Sequence, residues 1–149
     1  MNTSMTFDTK GLDASLLKIT FNSSELRQIE APGGEVFVQG MKQRAAVDTS
    51  FMKNEIKRHV VKETSEIIED EIGSDAPYAI YQEYGTGIYA ENGQGRKTPW
   101  VYRRKDGKFI TTSGNRPHPF VRPTALEDKD KIIKAMQEKF DWMLKSKWK

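Results

Sequence analysis

The chain has 149 residues, 36% of them hydrophobic and 30% charged, with a formal net charge of +3. That balance fits one folded domain with a real core and argues against a disordered chain. It contains no cysteine, which excludes disulfides, thiolate metal ligands and a cysteine nucleophile.

The opening segment, MNTSMTFDTKG, lacks a basic start followed by an apolar stretch, so it does not read as a signal peptide. No later apolar run approaches the roughly 20 residues a membrane-spanning helix needs. Leu17, Ile19 and Phe21 alternate with polar residues, the pattern of a half-buried strand. Ser23 or Ser24 then offers an N-cap to a short helix, with Glu25 placed against its positive end. The run APGG, residues 31–34, is expected to end it. From Glu35 to Ala46, Phe37, Met41 and Ala45 recur on one helical face. Gly40 costs such a helix about 1 kcal/mol relative to alanine, which close approach by another element would explain.

The run VDTS, residues 47–50, reads as a stop and a restart, with Asp48 or Thr49 capping a new turn. Beyond it the periodicities conflict. Met52, Ile56, Val60, Ile67, Ile68 and Ile72 fit a helical stripe, yet Ile68, Asp70 and Ile72 also alternate as in a strand. Helix and strand both stay open for residues 56–73. Residues 101–112, VYRRKDGKFITT, read as a hairpin, because Gly107 supplies turn chemistry between two β-prone arms. Thr124 to Glu127 has the form of a capping box, with Pro123 just ahead. Leu126, Ile133, Met136, Phe140, Met143 and Leu144 then repeat at helical spacing, predicting a long amphipathic helix to about residue 146. Trp142 and Trp148 lie off or beyond that stripe, and two readings stay open for them, an exposed contact residue or packing back on the sheet, the second preferred.

Charge is unevenly placed. Acids dominate from Glu55 to Asp75, whereas eight cations between Arg96 and Arg122 face only Asp106. Such a chain suits nucleic acid, or its own copies, acidic surface to basic surface. The interleaved aromatics and cations of WVYRRKDGKF, with Arg103, Arg104 and Lys105 as contacts, carry the nucleic-acid reading.

The run YQEYGTG, residues 81–87, raises the question of a phosphate-cradling loop. It fails both phosphate templates. Gly85 and Gly87 are followed by Ala90 where a dinucleotide fingerprint needs glycine, and in GQGRKT Arg96 separates Gly95 from Lys97. His59 and His118, the only histidines, stand far apart, and no clustered carboxylate motif suggests a metal. No nucleophile-elbow motif supports a triad. The reading is of a protein without catalytic residues, cofactor or metal.

Three segments in order then carry a family resemblance: VDTS, PYAIYQEYGTG, and RPHPFVRPT leading into the last helix. Together they resemble the neck, or tail-completion, proteins of long-tailed bacteriophages, over roughly residues 35–145. The matching positions are Asp48 and Thr49; Tyr78, Ala79, Glu83, Tyr84, Gly85 and Thr86; and Pro119, Phe120, Arg122 and Pro123. Ser50 stands where the family has Gly, and Thr124 where it has Ala. Residues 1–22 read as an added strand or arm, and 96–112 as a basic hairpin insertion in a single domain.

The resemblance implies an α+β fold, a small antiparallel sheet packed by a helix from the N-terminal half and the long C-terminal helix. It therefore favours strands for residues 56–73. It implies a virion protein at the head–tail junction, present in the host cytoplasm during assembly. Its partners would be copies of itself in a ring, the tail-terminating protein and a head connector, with a weak, non-specific DNA contact and no membrane. A small basic nucleic-acid-binding domain is the alternative. On the leading reading Gly85 and Gly87 form a turn, Tyr81 and Tyr84 anchor its base, and Glu83 partners backbone or Arg122. Phe120 plugs the core, and the motifs mark shape rather than chemistry.

Overall fold

A computed structural model describes residues 4–6, 20–45 and 50–147. The elements in chain order are β1 (Ser4–Thr6), α1 (Ser23–Arg44), α2 (Ser50–Asn54), β2 (Ile56–Glu63), β3 (Ile68–Ser74) and α3 (Ala79–Tyr84). A 3₁₀ turn (Gly87–Tyr89), β4 (Trp100–Arg103), β5 (Phe109–Thr112), α4 (Val121–Glu127) and α5 (Lys129–Lys147) follow. The fold is α+β. β1, β3 and β2 form an antiparallel sheet in that order, and β4 pairs with β5 in a separate hairpin. The long helix α1 lies against β2 and β3, and α5 packs along α1.

The segment that periodicity left open is a pair of strands. Ile68, Asp70 and Ile72 of β3 are buried in alternation, which is a strand with one face on the core. β2 runs beside it with a bulge between Val60 and Lys62. The alternation, not the four-residue stripe, carried the information.

Residues 31–34 do not end a helix. α1 runs unbroken through Pro32, Gly33 and Gly34 for 22 residues. A proline inside a helix forfeits one hydrogen bond and costs about 3 kcal/mol or more. Tertiary packing overrides that local preference, since Leu26, Ile29, Phe37, Val38 and Met41 are all buried along its length. The small residues serve contact. A Cβ on Gly33 would stand 2.6 Å from Met136 Cγ of α5, and one on Gly40 would stand 2.7 Å from Thr124 Cγ2. Close approach thus accounts for Gly40. The cap of α1 is Asn22, one residue before the expected serines, and it exchanges hydrogen bonds with Glu25 in a capping box.

The C-terminal segment differs from expectation in two ways. Its helix starts at Val121 and breaks at Asp128, so α4 and α5 are separate. Thr124 is no cap; it is buried in α4 and donates its hydroxyl to the Phe120 carbonyl at 2.7 Å. Pro123 falls in the first turn, where a missing N–H costs nothing. The buried stripe of α5 is Ile132, Met136 and Met143, while Leu126 is 79% exposed and Ile133 is also exposed. Trp142 is exposed rather than packed on the sheet, with the Lys139 ammonium over its ring, and Trp148 lies outside the described residues.

The hairpin at residues 100–112 forms as predicted, with Gly107 at positive φ in its turn. Thr20 and Phe21 are not in a strand, and Leu17 and Ile19 lie outside the described residues. Phe21 instead packs on Phe140 of α5.

Candidate functional site

The two motifs YQEYGTG and RPHPFVRPT are brought together at Glu83. This residue sits at the end of α3 and is only 2% exposed. Its carboxylate lies over the start of α4. Oε2 accepts hydrogen bonds from the Phe120 and Val121 amides at 2.8 and 3.0 Å, and Oε1 accepts from the Arg122 amide at 3.1 Å. α4 has no side-chain cap of its own. Glu83 therefore satisfies, from 37 to 39 residues away, the amides that a helix start leaves unpaired.

Arg122 completes the joint. Its Nε donates to Glu83 Oε1 at 2.9 Å and its Nη2 to the Glu83 carbonyl at 2.9 Å. The same guanidinium holds Glu91 through two further bonds at 2.8 and 2.9 Å and lies over the Tyr84 ring. Burial pushes the Glu83 carboxyl up, but the Val121 and Phe120 amides and then Arg122 outweigh it and hold it below the usual carboxylate range. Arg122 likewise holds Glu91 low. Glu83 thus meets backbone and Arg122 at once. Glu91 was missed in the sequence, because nothing in its neighbourhood there marks it as a partner.

Gly85 makes the joint possible. Its φ of +73° with ψ of 175° is a region open in practice only to glycine. A Cβ there would stand 2.8 Å from Pro117 Cδ and from the Tyr89 carbonyl. The chain from Thr86 then runs along residues 113–115. The Thr86 amide donates to the Asn115 carbonyl at 2.9 Å, and the Asn115 amide returns a bond to Thr86 Oγ1 at 2.9 Å. His118 donates its amide to the Gln82 carbonyl at 2.7 Å. Phe120 is fully buried, Ala79 is buried, and Pro119 and Pro123 are half-buried. Tyr78 caps α3 and packs on Phe51. Tyr84 is half-buried, but Tyr81 is 58% exposed and is no anchor. Asp48 and Thr49 lie outside the described residues.

A cleft of about 620 Å³ opens beside this joint, lined by Ile80, Tyr81, Tyr84 and the backbone of residues 85–87 among others. No carboxylate or histidine lines it. Both Glu83 oxygens are engaged by protein donors. A group so committed fixes geometry; it has no lone pair aimed at a substrate for acid–base work. Among the described residues no cluster of histidine and carboxylates is placed to hold a metal ion. No described helix is long and apolar enough to cross a membrane.

Arg103, Arg104 and Lys105 are exposed on the β4–β5 hairpin, away from this joint, and Arg104 pairs with Asp106 at 2.6 Å.

A second buried polar group was not foreseen. Glu30 of α1, Asp70 of β3 and Arg58 of β2 meet at the seam between helix and sheet. Arg58 Nε lies 2.8 Å from Asp70 Oδ2, and its Nη1 lies 3.4 Å from Glu30 Oε2. These are ion pairs off the line of a hydrogen bond: Glu30 Oε2 and both Asp70 oxygens are buried without a donor. Burial, then Asp70, pushes the Glu30 carboxyl up to about 7.

Residues 23–85 match the family model described as "Bacteriophage HK97-gp10, putative tail-component". The match begins with α1 and ends at Gly85, so it takes in Glu83 but not its partners on α4. It agrees with the resemblance to phage neck and tail-completion proteins and supports a structural phage role. No curated protein and no solved structure matches the chain.

Proposed function

We propose that this chain is a structural component of a bacteriophage tail and acts at the head–tail junction, where it completes the tail end or joins the tail to the filled head. The observation that carries the reading is the tail-component match over residues 23–85. The site adds to it. The motif residues Glu83, Gly85, Phe120 and Arg122 are spent on holding α3 to α4, which is the economy of a structural part rather than of an enzyme. The partners are further copies in a ring, the tail-terminating protein and a head connector. A ring requires two unlike faces per copy and a rotation that closes. The protein passes from the host cytoplasm into the virion as the particle is built.

The test is a phage carrying a stop codon in this reading frame. Micrographs of its lysate should show filled heads and tails that have not joined. Normal particles would overturn the structural role. Antibody label along the tail instead of at the neck would keep the tail role and remove the junction.

A further inference from the structure

The β4–β5 hairpin is built as though something is meant to cover it. Register places Trp100, Tyr102, Ile110 and Thr112 on one face and Val101, Arg103, Phe109 and Thr111 on the other. On the first face Trp100, Ile110 and Thr112 are half-buried, with the Arg96 guanidinium over the Trp100 ring, and Tyr102 is exposed. The second is bare: Val101 is 59% and Phe109 73% exposed. Among the described residues no other helix or strand packs broadly on the hairpin. Two strands alone are marginal in water, and an apolar face left open on them invites a partner.

The charges around that face remain largely uncommitted. Arg104 is answered by Asp106 within the hairpin, while Arg103, Lys105 and Lys108 stand exposed without an acid in reach among the described residues. The β2–β3 hairpin shows the opposite sign. There Glu63 is taken by Arg27, and Glu55 and Asp75 by Lys57. Glu66, Glu69 and Glu71 are left without an ion pair among the described residues, though Lys62 lies across from Glu69 in register. The exposed apolar residues of β2 there are Val60 and, more fully, Val61.

We propose that the bare face of the β4–β5 hairpin docks on the β2–β3 hairpin of a second copy, Val101 and Phe109 against Val61, with Arg103 and Lys105 beside Glu66 and Glu69. The proposal rests on the reading of self-assembly given above and names its surfaces. Nucleic acid fits this face less well. Phe109 is the one aromatic on it, since Trp100 and Tyr102 lie on the opposite face, so it offers a single ring rather than a stacking platform. Val101 and Phe109 have nothing to offer a phosphate. The contact is heterologous, since the two surfaces differ, and so it propagates from copy to copy.

A charge swap on the full chain tests it by sedimentation at low and at physiological salt. The wild type should self-associate, more at low salt. Arg103→Glu/Lys105→Glu and Glu66→Lys/Glu69→Lys should each lose at least tenfold in association, and an equimolar mixture of the two should regain it. Val101→Ser/Phe109→Ser should lose association with an unchanged melting temperature, because both side chains are already exposed. Association that survives all three variants overturns these surfaces and leaves self-assembly standing. A monomer at every salt and concentration overturns both, and the lysate micrographs then judge the tail role alone. Loss of DNA affinity in the Arg103→Glu/Lys105→Glu variant, with association untouched, assigns the hairpin to nucleic acid instead.

Discussion

Glu83 and the pair Glu30–Asp70 both take carboxylate out of water, and the fold treats them in opposite ways. Glu83 receives three backbone amides and a guanidinium. Glu30 and Asp70 share Arg58 and leave three oxygens without a donor. Desolvation pushes Glu83 and Glu30 alike upward. Donor supply decides the outcome: Glu83 is held below its ordinary value, Glu30 is raised above it. The lesson is that burial alone does not say whether a carboxylate is an anchor or a weak point. A helix start aimed at it does, because that start brings several unpaired amides at once.

The largest effects should come from the satisfied site. Glu83→Ala leaves the first amides of α4 and the Arg122 Nε without their acceptor, a loss of roughly 3–5 kcal/mol as for other broken buried pairs. Phe120→Ala, which empties the core just beneath, should cost a similar 3–5 kcal/mol. Denaturant unfolding measures both. A cost under about 1 kcal/mol for Glu83→Ala would mean that α4 finds another cap, and the contrast between the sites would collapse.

The unsatisfied site should declare itself through pH. Burial and then Asp70 push the Glu30 carboxyl from an ordinary 4.5 up to about 7 in the fold. The folded state therefore holds the extra proton, and this contribution is complete below pH 4.5 and lost as pH rises through about 7. The groups facing Glu30 are Asp70 of β3, Arg58 of β2 and Arg27 of its own helix. Stability should fall by on the order of 2 kcal/mol between pH 5 and 8. Glu30→Gln, which carries a permanent N–H donor, should flatten that slope. Glu83 has the reverse sign: its contribution holds above its ordinary value and is lost as pH drops through the lower folded one. A melt series showing the same slope in wild type and Glu30→Gln would show that no proton is shared at the seam.

A smaller effect separates charge from geometry at Glu83. Arg122→Lys keeps the cation but cannot hold Glu83 and Glu91 together. It should cost about 1–2 kcal/mol, the difference between a forked and a point donor. Full recovery of wild-type stability in the lysine variant would reduce the joint to simple charge pairing.

How much of this could be read beforehand follows the same physics. Glu83, Phe120 and Arg122 were legible because they stand in dense motifs whose residue types announce a turn and a helix start. Asn22 carried a legible signal too, an Asn three residues ahead of Glu25, which adjacent serines masked. The course of α1 was not legible. Pro32 and two glycines are local breakers, and only the arrival of α5 and Arg58 against them makes the helix worth keeping. The Glu30–Asp70–Arg58 group was hidden for a related reason, since its members come from three elements and none has an unusual neighbour in sequence. For residues 56–73 both periods were present, and pairing of β2 with β3 decided between them.

The β4–β5 hairpin is the region where neither kind of buried carboxylate occurs, and it sets the lower end of the comparison. Arg103, Arg104 and Lys105 are exposed, and the pair Arg104–Asp106 is a surface contact of the kind worth about 0–1 kcal/mol. Changing all three to alanine should therefore move stability by no more than about 0.5 kcal/mol. That near-silence makes the variant a clean probe of binding, since any change in partner affinity cannot be blamed on the fold. Wild-type binding to DNA should be weak, indifferent to sequence and gone at physiological salt, because a few exposed cations release few counterions. Titrations of a labelled duplex at two salt concentrations check this. Tight binding that survives physiological salt and collapses in the triple variant would make the hairpin a nucleic-acid contact. It would raise the basic-domain reading above the structural one, while leaving the Glu83 joint and the Glu30 seam as they are.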